Sequence, residues 1–223
     1  GNAVTISGIE TLNGGTGVDV VTVTGTVGNF GSLVSGLSAA DTVTNQGTVT
    51  VGGGVASAFN GTLSNASGGI LNVFGQGDSN PTTLTVANGF TNSGLIVIDD
   101  NTSQNRAATL TVTSGTLANA GTIRASDTAG GPGTLTLNAQ VTNTGTLDID
   151  SNLNVGNTGL TFTTAAGTLD VASGKTLTVS GGTTVFGAGT VLTGAGTVSL
   201  AGAALTLASN FTLAAAAAPT PVL

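Results

Sequence analysis

Residues 141–150 read Val-Thr-Asn-Thr-Gly-Thr-Leu-Asp-Ile-Asp, VTNTGTLDID. Asn143 and Gly145 form an Asn-x-Gly turn signal, and Thr146 to Asp150 then alternate polar with apolar. A period of two puts one set of side chains, here Leu147 and Ile149, on the buried face of a strand. Close variants recur as FTNSGLIVID at 90–99 and LANAGTIRAS at 117–126. Aligned on the glycine before each strand, the phrase returns at Gly47, Gly69, Gly94, Gly121, Gly145, Gly167 and Gly189, in steps of 22 to 27 residues. A shared phrase at that period indicates a solenoid rather than a sandwich. Further strands fall between these, TLTV at 83–86, 109–112 and 176–179 and TLTL at 134–137, so each period holds two or three short strands.

The expected fold is therefore all-β, a parallel β-helix of about nine coils and about 40 Å, with coils stacked at the strand spacing of a sheet. The rule for parallel crossovers makes it right-handed. Leu147, Ile149, Leu169 and Val171 point inward and stack in apolar columns. Asn45, Asn92, Asn119 and Asn143 each stand two residues before an aligned glycine. They are expected to take left-handed backbone at the corner, to bond the chain there and to stack as an amide ladder. Gly47, Gly94, Gly121, Gly145 and Gly167 complete that set of turn residues. The organisation expected is a glycine-rich first coil or cap over 1–30, a solenoid over 31–213 and an Ala/Pro tail over 214–223.

Composition sets the limits on function. The chain has 223 residues, of which 37 are glycine, 39% are hydrophobic and only 6% are charged, and the net charge is −7. Three basic residues, Arg106, Arg124 and Lys175, cannot neutralise a phosphate backbone, so nucleic acid is excluded as a partner. Cys and His are absent, which removes disulfides, thiolate metal sites and the usual nucleophile–base pairs. No apolar run is long enough for a membrane-spanning helix. The opening GNAVTISGIE has no Met and no leader pattern, and it reads as a processed or excised piece.

The phrases FTNSGLIVID, LANAGTIRAS and VTNTGTLDID resemble the passenger repeats of bacterial secreted adhesins, the filamentous-haemagglutinin-like and autotransporter β-helix proteins. The resemblance covers about residues 42 to 213 and implies an extracellular or cell-surface location. A second resemblance lies in GIETLNGGTGVDVVTVTG, 8–25, where Gly14, Gly15, Gly17, Asp19 and Val21 match one calcium-binding nonapeptide unit of RTX type. The likeness implies calcium at Asp19. The following TGTVGNFG has no Asp to complete a paired turn, and the alternative is a glycine-rich turn that opens the first coil. No other cofactor is expected.

Enzyme chemistry finds no support. Asp148 and Asp150 share the solvent side of a strand, and neither they nor Asp99 and Asp100 have an apolar pocket or a sugar-holding Trp or Tyr nearby. These acids read as charges that keep a rod soluble. Thr-x-Thr pairs at Thr22/Thr24, Thr48/Thr50, Thr83/Thr85, Thr109/Thr111, Thr134/Thr136, Thr161/Thr163 and Thr176/Thr178 resemble ice-binding faces, with the outer pairs out of register. The reading is thus an extracellular structural protein: surface stalk, adhesin repeat or filament subunit. A binding module for ice or polysaccharide is the alternative, and a polysaccharide-cleaving β-helix comes third. Both ends are apolar, so copies are expected to join head to tail, with Ala214, Pro219, Pro221, Val222 and Leu223 touching the next subunit.

Overall fold

A computed structural model of the chain describes residues 3–5, 20–27, 40–54, 56–76, 81–131, 133–208, 210 and 220–222. These residues contain no helix. In chain order the strands are β1 (Ala3–Thr5), β2 (Val20–Val23), β3 (Thr26–Val27), β4 (Thr42–Asn45), β5 (Thr48–Val51), β6 (Ala56–Phe59), β7 (Thr62–Asn65) and β8 (Ile70–Phe74). Then come β9 (Thr82–Val86), β10 (Phe90–Asn92), β11 (Leu95–Asp99), β12 (Ala108–Asn119), β13 (Thr122–Ser126), β14 (Leu135–Asn143), β15 (Thr146–Ile149) and β16 (Leu153–Gly156). The last are β17 (Thr161–Thr164), β18 (Thr168–Val171), β19 (Thr176–Ser180), β20 (Thr183–Phe186), β21 (Val191–Gly194), β22 (Thr197–Ala201), β23 (Ala204–Leu207) and β24 (Thr220–Val222).

Every pairing among them is parallel, and the strands sort into three stacked faces. One coil runs through β9 on the first face, β10 on the second and β11 on the third. The next coil runs through the two halves of β12 and then β13. The first face continues through β14, β16, β19 and β22. The second continues through β14, β17, β20 and β23. The third is an eight-stranded sheet from β3 to β21, so the protein is a β-solenoid of about seven turns, close to the nine coils expected.

The alternation seen in the sequence drives this arrangement. In β15 and β18 every second residue is buried, and Leu147, Ile149, Leu169 and Val171 are fully covered. Register then stacks like on like. Leu71, Ile96, Ile123, Leu147 and Leu169 form one inward column of the third face, each paired to the next. Leu84, Leu110 and Leu137 do the same on the first face. The hydrophobic core is this set of columns, a continuous filling along the axis.

The unequal steps have local causes. Between β12 and β14, Thr111 faces Asn138 while Thr116 faces Gln140, so five residues lie opposite two. The three extra residues form a bulge around Gly115, at φ 77°, between the first and second faces. This accounts for the step of 27 from Gly94 to Gly121 against 24 from Gly121 to Gly145. The last step is corrected by the structure. Thr168 pairs with Val191, so Thr190, not Gly189, occupies the position above Gly167. The tail is partly described: β24 pairs with β22, placing Pro221 beside Val198. Asp19, Ala214, Pro219 and Leu223 lie outside the described residues, as do Gly14, Gly15 and Gly17.

Candidate functional site

The corner between the second and third faces is the most regular part of the molecule. Asn45 Nδ2 donates to Asn65 Oδ1 at 2.8 Å, Asn65 to Asn92 at 2.6 Å, Asn92 to Asn119 at 2.7 Å and Asn119 to Asn143 at 2.7 Å. All five side chains are buried. Each Nδ2 also crosses the corner to a third-face carbonyl one coil on: Ile70, Leu95, Thr122, Thr146 and Thr168 for Asn45 through Asn143. The ladder therefore binds coil to coil and face to face with the same amide. Buried amides without partners would be costly, and repetition supplies each with a donor or acceptor from its own kind.

Two details differ from the sequence reading. The ladder asparagines are the last residues of extended strands; among the described residues only Asn105 combines a side chain with positive φ, at 59°. Asn65 belongs to the ladder although four residues separate it from Gly69 instead of two. A turn through Gly68, at φ 83°, absorbs the difference. The signal that finds it is register: Asn45 pairs with Asn65, and Asn65 with Asn92.

Beside the ladder runs a column of glycines. Gly94 O accepts from Thr122 N at 2.9 Å, Gly121 O from Thr146 N at 2.8 Å and Gly145 O from Thr168 N at 2.8 Å. A Cβ on Gly121 would collide with the Gly94 carbonyl oxygen, and one on Gly145 with that of Gly121. Gly47 and Gly167 sit under the same constraint. These glycines are selected by close backbone approach, not by a left-handed turn. The ladder ends one coil before the column: Thr164 and then Phe186 succeed Asn143, and Thr190 succeeds Gly167. There the inward second-face positions read Phe162 and Thr164 in one coil, Thr184 and Phe186 in the next, so each ring stacks on a threonine.

Among the described strands, charged residues occur only on the third face, namely Asp99, Arg124, Asp148 and Asp170. Arg124, Asp148 and Asp170 lie in one outward column. Arg124 Nε stands 2.9 Å from Asp150 and 3.5 Å from Asp148, and its Nη2 also bonds Asp150. That hydrogen bond raises the Arg124 pKa further above its ordinary value. Partial burial, reinforced by Asp150 and Asp170 against the opposing pull of Arg124, raises the pKa of Asp148.

Asp99 and Asp100 are not solvent charges. Both are buried, at 2% and 0% exposure. Asp99 accepts from Thr128 N at 3.0 Å and Thr128 Oγ1 at 2.7 Å. Asp100 accepts from Thr102 N and Oγ1 with one oxygen and from Arg106 N and Gly133 N, each at 2.9 Å, with the other. The pair pins the loop 100–107 and the loop of the following coil onto one another. No motif or period marks that role. No group of three or more metal-ligating acids, Cys or His occurs among the described residues.

The threonines divide among the faces. Thr83/Thr85 and Thr109/Thr111 are in register on the first face, where Thr136, not Thr134, pairs with Thr109. Thr48/Thr50 stand on the third face and Thr161/Thr163 on the second. Comparison with protein-family models, curated proteins and solved structures finds no match for this chain.

Proposed function

We propose that the chain is an extracellular structural element, a stiff β-solenoid segment of a surface stalk or adhesin. The observation that supports it best is the ladder corner, where buried side-chain hydrogen bonds, close glycine contacts and apolar columns all link one coil to the next. Such a structure offers length, rigidity and surface. The likeness to secreted passenger repeats favours the cell exterior. A rod that continues coil after coil along one chain is favoured over a filament clasped by its tail. Thr220 stands 23 residues beyond its partner Thr197, one coil step, so β24 takes the place of a further first-face strand. Pro221 and Val222 thereby occupy the chain's own sheet, and joining of copies through residues 214–223 is the second structural reading.

The test is to insert the segment between a bacterial surface anchor and a fluorescent tag, and to measure tag height above the membrane. About seven coils at about 4.8 Å each should raise the tag by roughly 30–35 Å. A tag no higher than with a flexible linker of equal length, or a segment that is not displayed in folded form, overturns the reading.

A further inference from the structure

We infer that the outward side of the second face is a recognition surface for the ordered water lattice of ice. The second-face strands, like those of the first face, carry no charged residue among those described, whereas the third face holds the charged column. Thr22, Thr44, Ser64 and Thr91 lie in one outward column, which Ala118 interrupts and Thr142 and Thr163 resume. A parallel column two residues earlier pairs Thr42 with Thr62 and Thr161 with Thr183. Val185 interrupts the first column again before Thr206, and Val20, Gln140 and Ala204 stand in the second, so the hydroxyls form two interrupted rows. Their repeat is about 4.8 Å along the axis and about 6.6 Å along each strand.

Periodicity matters only if the face is flat. Sheets of many strands normally twist, and flat ones are held by stacking or side-chain ladders. The Asn45–Asn143 ladder runs along the edge of this face, on the last residue of each strand. Among the described residues, the one register shift in the paired strands, between Thr111 and Thr116, falls at the corner before it. The ladder therefore acts as a ruler for the threonines. A threonine offers a hydroxyl that holds a water and a methyl that orders its neighbours, and a fixed array binds without an ordering cost at each contact. Many weak contacts in register add as a multivalent set.

The absence of charge argues for a neutral, periodic ligand. Polysaccharide fits less well, because sugar rings are held by exposed aromatic faces. Phe59, Phe90, Phe162 and Phe186 are buried in the core.

The experiment measures partition of the folded segment into a slowly growing ice front, together with inhibition of ice recrystallisation. The wild-type segment should concentrate in the ice. The double variant Thr142→Lys/Thr163→Lys, at outward half-buried sites, should lose at least tenfold of that partition with its β circular dichroism unchanged. Thr168→Lys, at an outward site on the third face, should retain it. Rejection of the wild type from the ice front overturns the proposal, as does equal loss in Thr168→Lys. Light scattering supplies a further arm: a lateral dimer that the double variant dissolves would show the face to be a contact between copies. None of these outcomes touches the rod reading, which rests on tag height.

Discussion

The two corners that flank the third face are built from opposite materials. Entering that face beneath the asparagine ladder, the chain turns through two residues at 46–47, 93–94, 120–121 and 144–145 and through four at 66–69. Leaving it, the connection varies from two residues at 195–196 to eight at 100–107 and 127–134. The first corner is fixed by contact between coils, so its residue types repeat. The second is fixed loop by loop, with buried Asp99 and Asp100 supplying acceptors that a longer loop needs. A solenoid needs one exact seam and tolerates variation elsewhere, which is where surface loops grow.

The largest test of this contrast compares two glycines. Gly121→Ala at the ladder corner should cost about 3 kcal/mol, because the new methyl meets a carbonyl oxygen of the coil before it and neither backbone can yield. Gly130→Ala at the open corner has positive φ and nothing within 4 Å, so only backbone strain of about 1 kcal/mol is expected. Urea unfolding of both variants decides it. Equal losses would mean that the close approach is relaxed in solution.

Next comes the ladder. Asn92→Ala removes the acceptor of Asn65 and the donor to Asn119, and should cost about 2–3 kcal/mol. Asn88 touches two carbonyls only at 3.4 Å, and Asn88→Ala should stay within about 0.5 kcal/mol. A thermal melt in which the two variants coincide would reduce the ladder to decoration.

Asp100→Ala probes the other corner. Its four donors belong to the loops, so the loss of about 2 kcal/mol should be local. Amide exchange at Thr102, Arg106 and Gly133 should accelerate well before that of Leu147. Uniform acceleration along the rod would place Asp100 in the global fold.

The same contrast explains what the sequence made legible. Period-two alternation marks the strands, and the close corner marks itself because each coil demands the same Asn and Gly. Asn65 escaped because its glycine comes two residues late. Gly189 was misplaced by one residue because Thr190 replaces the column glycine where the ladder has already ended. Threonine suits the outward positions of all three faces, so Thr-x-Thr alone does not say which pairs share a face. Asp99 and Asp100 read as solvent charges in the sequence because Thr128 and Gly133 stand 29 and 33 residues away in a loop without period, and the nearer donors of Asp100, Thr102 and Arg106, follow no motif.

The smallest expected effect lies on the charged column. Partial burial and the neighbouring Asp150 and Asp170 make the folded rod hold the Asp148 proton more tightly than the unfolded chain does. A carboxyl raised in this way favours folding where its proton is bound, and that contribution is lost as pH rises through the folded pKa. Asp148→Asn should therefore be slightly more stable than wild type at neutral pH, with the difference fading as pH falls into the carboxylate range. Arg124 opposes the shift, so Arg124→Ala should move the Asp148 titration further upward. It should change neutral-pH stability by no more than about 0.5 kcal/mol, because the ion pair is exposed. Carbon-detected NMR titration of Asp148 and urea midpoints at two pH values provide the measurements. An advantage of Asp148→Asn that grows on acidification would show that attraction to Arg124 outweighs burial, and that the outward column is a stabilising seam in its own right.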